Sequence, residues 1–316
     1  MRVYSIPMRT RFRGITRRDG ALLRGPAGWG EFSPFAEYGP AEAARWLAAA
    51  QEAAEQGWPA PVRDGVPVNA TIPAVGPERA FALAKESGCR TAKVKVAEPG
   101  QTDADDMARV EAVRDALGPD GRIRVDANGG WDVDRAAAMI RSLDRFELEY
   151  AEQPCPTLDD LRRVRLRVDV PIAADESIRR AEDPLKVRAA GAADIVVLKV
   201  QPLGGVRAAL RVAEAVGLPV VVSSAVETSV GLAAGVALAA ALPELPFACG
   251  LATLSLLEGD VVDAPLVPVD GVLPVRRPDV DPAALARHEP GADVAERWAE
   301  RARAAARHLP GAEPSR

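Results

Sequence analysis

The chain has 316 residues, 48% of them hydrophobic and 27% charged, with a net charge of −5. That is enough chain for one large soluble domain, or a large one with a smaller companion. Mixed charge without a basic footprint and only 4% aromatic residues argue against a nucleic-acid stacking platform, and the three scattered cysteines, Cys89, Cys155 and Cys249, argue against a disulfide framework or a paired-cysteine zinc site.

No cationic segment followed by an apolar core follows Met1. The longest apolar run, Val230–Leu242, is too short and too rich in alanine and glycine to span a bilayer. A cytoplasmic protein with neither nucleic-acid nor membrane partners is therefore expected. Residues 1 to 60 read as a small α+β unit: strands at Val3–Met8, Ala21–Arg24 and Gly28–Phe32, then a helix over Ala41–Gln56 ended by Gly57 and Pro59. A proline-rich stretch, Pro59 to Pro67, marks a break. From residue 68 short β-branched strands alternate with amphipathic helices. The strands are Val68–Ala70, Thr91–Val96, Arg122–Ala127, Leu148–Glu152, Pro171–Asp175, Asp194–Val200, Pro219–Ser223 and Phe247–Leu251. Between them lie helices such as Asp103–Ala116, Val133–Leu143 and Val206–Val216, and Val230–Leu242 reads as a buried helix. Strand–helix units repeating about every 25 residues predict a parallel sheet, and eight strands predict a closed barrel. The alternative, an open doubly wound sheet, asks for a glycine-rich phosphate turn after an early strand, and none has that context. After residue 254 the rhythm stops. Val261–Val275 is a strand-and-turn region, the tail from Pro282 is helical, and Pro310–Arg316 is expected to be disordered.

In such a barrel functional side chains gather where the strands end. The second strand carries Lys93 and Lys95 on one face, because side chains alternate along a strand. Only five of the 40 basic residues are lysines. Lysine, unlike arginine, can give up its proton when buried, so lysines retained on a strand point to acid–base chemistry. The next three strands end in Asp126, Glu152 and Asp175, and the sixth holds Lys199. Three carboxylates around one cavity repel one another unless a cation joins them. All-oxygen ligation suits Mg²⁺, a divalent cation that keeps positions open for water or substrate. Lys95 and Lys199 are then expected on opposite walls. Lys93 would ease deprotonation of Lys95 by like charge, leaving Lys95 as a base that removes a proton beside a carboxylate. Glu149 and Glu176 face the other way along their segments and receive no ligand role. Glu227 is expected to act either around the ligands or structurally.

Taken together and in order, Lys93-Val94-Lys95, Asp126-Ala127-Asn128, Glu152-Gln153-Pro154, Asp175-Glu176-Ser177 and Leu198-Lys199 resemble the enolase superfamily in its muconate-cycloisomerase-like branch. The resemblance implies a modified TIM barrel, (β/α)7β, over residues 63–253, with an α+β capping domain made from residues 1–62 and 254–316. It also implies Mg²⁺ on Asp126, Glu152 and Asp175, with Asn128 in support beside them. Short length, an abbreviated amino-terminal cap and the run Val222–Gly231 make the chain most similar to the o-succinylbenzoate-forming dehydratases of menaquinone biosynthesis. That likeness implies a small-molecule carboxylate substrate and syn dehydration of 2-succinyl-6-hydroxy-2,4-cyclohexadiene-1-carboxylate through an enediolate. Lys95 would be the base and Lys199 the stabilising cation. Matching positions imply that Ser223 and the backbone at Gly250 hold the succinyl carboxylate, with Arg124 as a helper. Two alternatives stay open. An N-succinylamino acid racemase or dipeptide epimerase would use the same two lysines as opposed bases, distinguished by cap loops around Arg17–Gly28 and by the last strand ends. A non-catalytic barrel binding metal or a small acid belongs to a different class.

Overall fold

A three-stranded antiparallel sheet opens the chain: β1 (Arg2–Phe12), β2 (Ile15–Gly25) and β3 (Gly28–Phe32), in that spatial order. The computed structural model describes residues 1–12, 14–178 and 183–309, so the expected disorder of Pro310–Arg316 lies outside the described residues. α1 (Pro40–Gln51) starts on a proline, whose missing N–H is no loss in a first helical turn. The helix expected over Ala41–Gln56 divides at Gln51, where one π turn, Glu52–Gln56, runs to Gly57 at φ +67°. The segment around Arg17–Gly28, expected as cap loops, is mostly strand, because β2 extends through Gly25.

The remaining elements alternate as the sequence predicts. They are β4 (Gly65–Pro67), β5 (Ala70–Ile72), α2 (Pro77–Glu86), β6 (Thr91–Lys95), α3 (Asp103–Leu117), β7 (Arg122–Asp126), α4 (Val133–Leu143), β8 (Leu148–Glu152), α5 (Leu158–Arg165) and β9 (Ile172–Ala174). There follow α6 (Asp183–Ala190), β10 (Ile195–Leu198), α7 (Val200–Leu203), α8 (Val206–Val216), β11 (Val220–Val222), α9 (Ser229–Ala241), β12 (Val272–Pro274), α10 (Pro282–Ala286) and α11 (Ala292–Ala306). Local chemistry explains several boundaries. Thr102 and Asp105 form a reciprocal capping box at the start of α3, and the Asp132 carboxylate caps α4. α8 stops at Gly217 in the left-handed conformation.

Seven parallel strands form one curled sheet in the order β11-β10-β9-β8-β7-β6-β5. The segment expected as an eighth strand, Phe247–Leu251, contributes two parallel bridges, Val68 with Cys249 and Ser223 with Gly250. Backbone bonds from Asn69 N–H to Cys249 O (2.9 Å) and from Gly250 N–H to Val222 O (2.8 Å) join the two sheet edges through it. The first strand sits two residues later than predicted. Pro67 has no N–H to offer, and the Val68 N–H goes to Gly271 O, so the ladder begins at Ala70.

The main core fills the space between strands and helices, with β-strand valines and isoleucines against α2 to α9. α9 is buried on all sides, as its unbroken apolar run requires. A separate cluster joins Val3, Phe32, Phe35, Trp46, Leu47 and Trp298, so the carboxyl-terminal α11 packs with α1 on the amino-terminal sheet. Ala225, from the loop after β11, belongs to that cluster too. A third cluster, Tyr150, Ala173, Ile195, Val197 and Val221, fills the barrel interior with Phe247 packed on it. Among the described residues no helix is long and apolar enough to cross a membrane.

Candidate active site

A small, partly open cavity lies at the carboxyl ends of the strands, lined by Lys93, Lys95, Asp126, Asn128, Asp175, Lys199, Ser223 and Gly250 among others. Strand alternation explains the first three. Lys93 and Lys95 share a face of β6, and Lys95 stands in register with Asp126 on β7, which stands in register with Glu152 on β8. Lys199 lies one residue past β10, at the head of α7, rather than inside the strand as predicted. Pro202 followed by Gly204 and Gly205 turns the chain there.

Ion pairs tie the charged groups together. The Lys93 ammonium donates to Glu152 Oε1 at 2.7 Å and stands 3.1 Å from Asp126 Oδ2. Lys95 donates to the same Asp126 oxygen at 2.5 Å and to Asn128 Oδ1 at 2.6 Å. Lys199 is bonded to Asp175. Burial alone would lower the Lys93 ammonium, but the carboxylates of Glu152 and Asp126 outweigh it and hold it well above the ordinary lysine value. Burial likewise disfavours the Asp126 anion, yet Lys95 and Lys93 pull that carboxyl far below the usual range. Glu152 goes the other way: burial, then the Asp126 charge, push it up to about 8 against the pull of Lys93. Its Oε2 is buried without a hydrogen-bond partner. The three carboxylates do not converge on one point. Among the described residues no three His, Cys, Asp or Glu side chains stand grouped as a ligand set, and each of these acids faces a lysine instead.

Supporting residues fix the strand ends. Asn128 adopts φ +46°, which asparagine tolerates, and its N–H donates to Asp126 Oδ1 at 3.1 Å. The fully buried Gln153 accepts from the Asp175 N–H at 2.9 Å and donates to Cys155 O at 2.9 Å, so the residue after Glu152 positions the next acid. Ser223 and Gly250 meet across the closing bridge, with Ser223 Oγ donating to Gly250 O at 3.5 Å.

Arg124 is a correction. It is fully buried below the cavity and does not line it; its guanidinium donates to Glu149, to Asn69 Oδ1 (3.2 Å) and to Ala248 O (2.6 Å) and lies 4.7 Å over the Tyr150 ring. Alternation places Arg124 inside the barrel but does not tell its depth. A register shift between Ile123 and Arg124 brings Glu149 to the same side as Arg124, against the expected opposite facing. Glu227 is buried away from the acids; it accepts from the Ala225 N–H at 2.7 Å and from Gln201 at 3.3 Å. Phe12, Thr71, Ser224, Ala225, Val226 and Thr253 also line the cavity, without a role assigned from the sequence. Thr71 lies within β5, beside Lys93, and Thr253 follows the closing segment, positions that carry no charge to draw attention. Phe12 comes from β1, with the Lys95 ammonium 5.4 Å from its ring centroid.

The geometry can be set beside known proteins. Residues 77–282 match the Enolase C-terminal domain-like family and residues 3–54 the Enolase N-terminal domain-like family. The o-succinylbenzoate synthase of Thermobifida fusca (strain YX) is 76% identical over 288 residues, covering 91% of this chain and 91% of its own. The chain belongs to the o-succinylbenzoate synthase family of the enolase superfamily. The o-succinylbenzoate synthase of Mycolicibacterium smegmatis is 58% identical over 90% of this chain and 88% of its own. Among solved structures, muconate lactonizing enzyme from Pseudomonas fluorescens complexed with muconolactone superimposes with a TM-score of 0.80 at 23% identity, covering 92% of this chain and 97% of its own. That likeness bears on the fold: the barrel expected from the strand–helix rhythm, with the cap that the family resemblance implied. Within the o-succinylbenzoate synthase family the chain is an enzyme of the lyase class.

Proposed function

We propose that this chain dehydrates 2-succinyl-6-hydroxy-2,4-cyclohexadiene-1-carboxylate to 2-succinylbenzoate, the hydro-lyase step of menaquinone biosynthesis. The observation that carries this reading is that Lys95 and Lys199 line one cavity with Asp126 and Asp175, in a chain of this family. Lys95, as the free amine, removes the proton next to the ring carboxylate; the C–H electron pair passes into that carboxylate and gives an enediolate. The enediolate then expels the ring hydroxyl, which leaves as water with the proton that Lys95 carries, and the ring becomes aromatic. One lysine on one face accounts for syn stereochemistry. Lys199 remains an ammonium and faces the developing negative charge. Ser223 and the backbone at Gly250 hold the succinyl carboxylate, and Arg124 is left out of substrate binding.

Asp126, Glu152 and Asp175 would hold a divalent cation, Mg²⁺ by the chemistry of an all-oxygen set. The fit rests on donor chemistry and on one atom. All the donors are carboxyl oxygens, and Glu152 Oε2 is buried with no hydrogen-bond partner. When bound, the cation supplies positive charge where it builds on the substrate carboxylate. In this reading residues 1–62 and 254–316 cap a catalytic barrel of residues 63–253, and β1 brings Phe12 to the cavity. The test is incubation of the purified protein and Mg²⁺ with the cyclohexadiene acid, reading the aromatic product by absorbance and mass. No aromatic product, together with racemisation of N-succinylamino acids, would overturn the reading; turnover of neither substrate, with binding of a small acid unchanged in Lys95→Ala, would favour a binding protein.

A further inference from the structure

We propose that Arg18, on β2 of the cap, is the positioning residue for the cavity wall formed by Ala225 and Val226, and that substrate fit at that wall is set from the cap through its guanidinium. The wall residues follow Ser223 and Ser224 beyond β11 and line the cavity directly. Val226 has φ +60°, a conformation that a β-branched residue adopts only when its surroundings impose it. Two sets of bonds impose it. On the barrel side, Glu227 Oε2 accepts from the Ala225 N–H at 2.7 Å and Ser224 Oγ accepts from the Val226 N–H at 3.2 Å. On the cap side, Arg18 Nε donates to Val226 O at 2.8 Å and Arg18 Nη2 donates to Ala225 O at 3.2 Å. The same Nη2 donates to Ser33 O and, at 3.0 Å, to Ser33 Oγ, while Nη1 donates to Asp19 O at 3.1 Å. The turn is thus held at both carbonyls by one side chain from another part of the chain.

The geometry requires arginine. The planar fork reaches Val226 and Ala225 on one side and Ser33 on the other, which a single ammonium cannot do. Arg18 is 2% exposed, and its guanidinium lies 4.5 Å over the Phe35 ring, so the fork is locked. Burial pushes the Glu31 carboxyl up and Arg18 pulls against it; the buried Glu31 is itself fixed by Tyr4 (2.7 Å), Ser33 (2.7 Å) and the Gly231 N–H (3.1 Å). Packing agrees, since Ala225 belongs to the apolar cluster of the cap. Arg18 does not line the cavity, so it acts through the turn and not on substrate.

The inference rests on the proposed dehydration for its kinetic arm and is independent of it for its exchange arm. In Arg18→Lys, hydrogen–deuterium exchange of amides 223–227 should quicken roughly tenfold while β7 and β8 keep wild-type rates, as local opening predicts. KM for the cyclohexadiene acid should rise roughly tenfold with kcat changed much less, because a displaced wall weakens fit without removing the base. In Arg18→Ala, millimolar methylguanidinium should restore part of the lost kcat/KM. Wild-type exchange at 223–227 in folded Arg18→Lys overturns the proposal, as does faster exchange spread evenly over the chain, which marks general destabilisation. A wild-type protein without dehydratase activity overturns the functional reading alone and leaves the exchange result to decide this one.

Discussion

Replacing Lys93 by methionine tests whether a lysine and a metal cation serve the same buried carboxylates. The Lys93 ammonium stands 2.7 Å from Glu152 and 3.1 Å from Asp126, with 6% of the residue exposed. At an effective dielectric near 20, each of those attractions is about 5–6 kcal/mol before the cost of removing an ammonium from water. The raised Lys93 value means that attraction exceeds desolvation. Methionine keeps the volume and removes the charge, leaving two buried carboxylates short of a counter-ion. Breaking such a pair by deleting one partner costs about 3–5 kcal/mol. The assay is urea unfolding of wild type and Lys93→Met at pH 7.5, once with chelator and once with saturating Mg²⁺. The penalty of about 3–5 kcal/mol should be present with chelator and should shrink by half or more with Mg²⁺, whose charge takes over at Asp126 and Glu152. An equal penalty in both conditions would falsify the idea that the cation shares these acids.

Other outcomes follow from the same geometry. Lys95→Ala should lose turnover by at least about 10³-fold, and Lys199→Ala by about 10²–10³-fold, with folding intact by circular dichroism; normal steady-state rates in either would remove its assigned role. Asp175→Asn should weaken Mg²⁺ binding at least about tenfold in a calorimetric titration, since an amide oxygen is a poorer ligand than a carboxylate. Glu227 is pushed up to about 7, by burial first and then by Glu31, against the pull of Arg18. The folded state therefore holds a proton that the unfolded chain releases near 4.5, so stability is fully present below that pH and is lost as pH rises through 7. Glu227→Gln should flatten that decline, gaining up to about 3 kcal/mol relative to wild type between pH 5 and pH 8. An unchanged slope in denaturant titrations across that range would show that another group sets it.

Much of the site was legible because charge on a short strand leaves few options. Alternation alone puts Lys93, Lys95, Asp126 and Glu152 inside, and the helix spans Val133–Leu143 and Val206–Val216 are marked at their ends by Asp132 and Gly217. What the sequence hid depends on tertiary context. Arg124 obeys the same alternation as Asp126 yet lies one layer deeper, where Glu149 and Tyr150 hold it. Lys199 was read inside a strand because nothing local separates a final strand residue from the head of α7. Glu52 falls within the helix expected over Ala41–Gln56, and nothing in the local sequence marks it. It is buried, and its carboxylate accepts from the Val206 N–H and, at 3.1 Å, the Arg207 N–H, capping α8 from the end of α1. The close approach is open only because Gly205, at φ +125°, has no side chain where Glu52 sits. No one-dimensional pattern joins positions 154 residues apart. Arg18 was hidden for the same reason: its partners Ala225 and Val226 lie in another part of the chain.

The barrel is closed by very little. Its circle is completed at Cys249 and Gly250, through two bridges rather than a ladder, with Ser223 and Gly250 facing each other across the gap. That seam is also the place where the substrate's succinyl carboxylate is proposed to bind. A carboxylate gripped by both residues would stitch the seam from the inside, so a filled site and a fully shut barrel become one event. Saturating product should then slow exchange at Asn69 and Gly250 more than anywhere in β7, and the circle would be tightest when it is doing its chemistry.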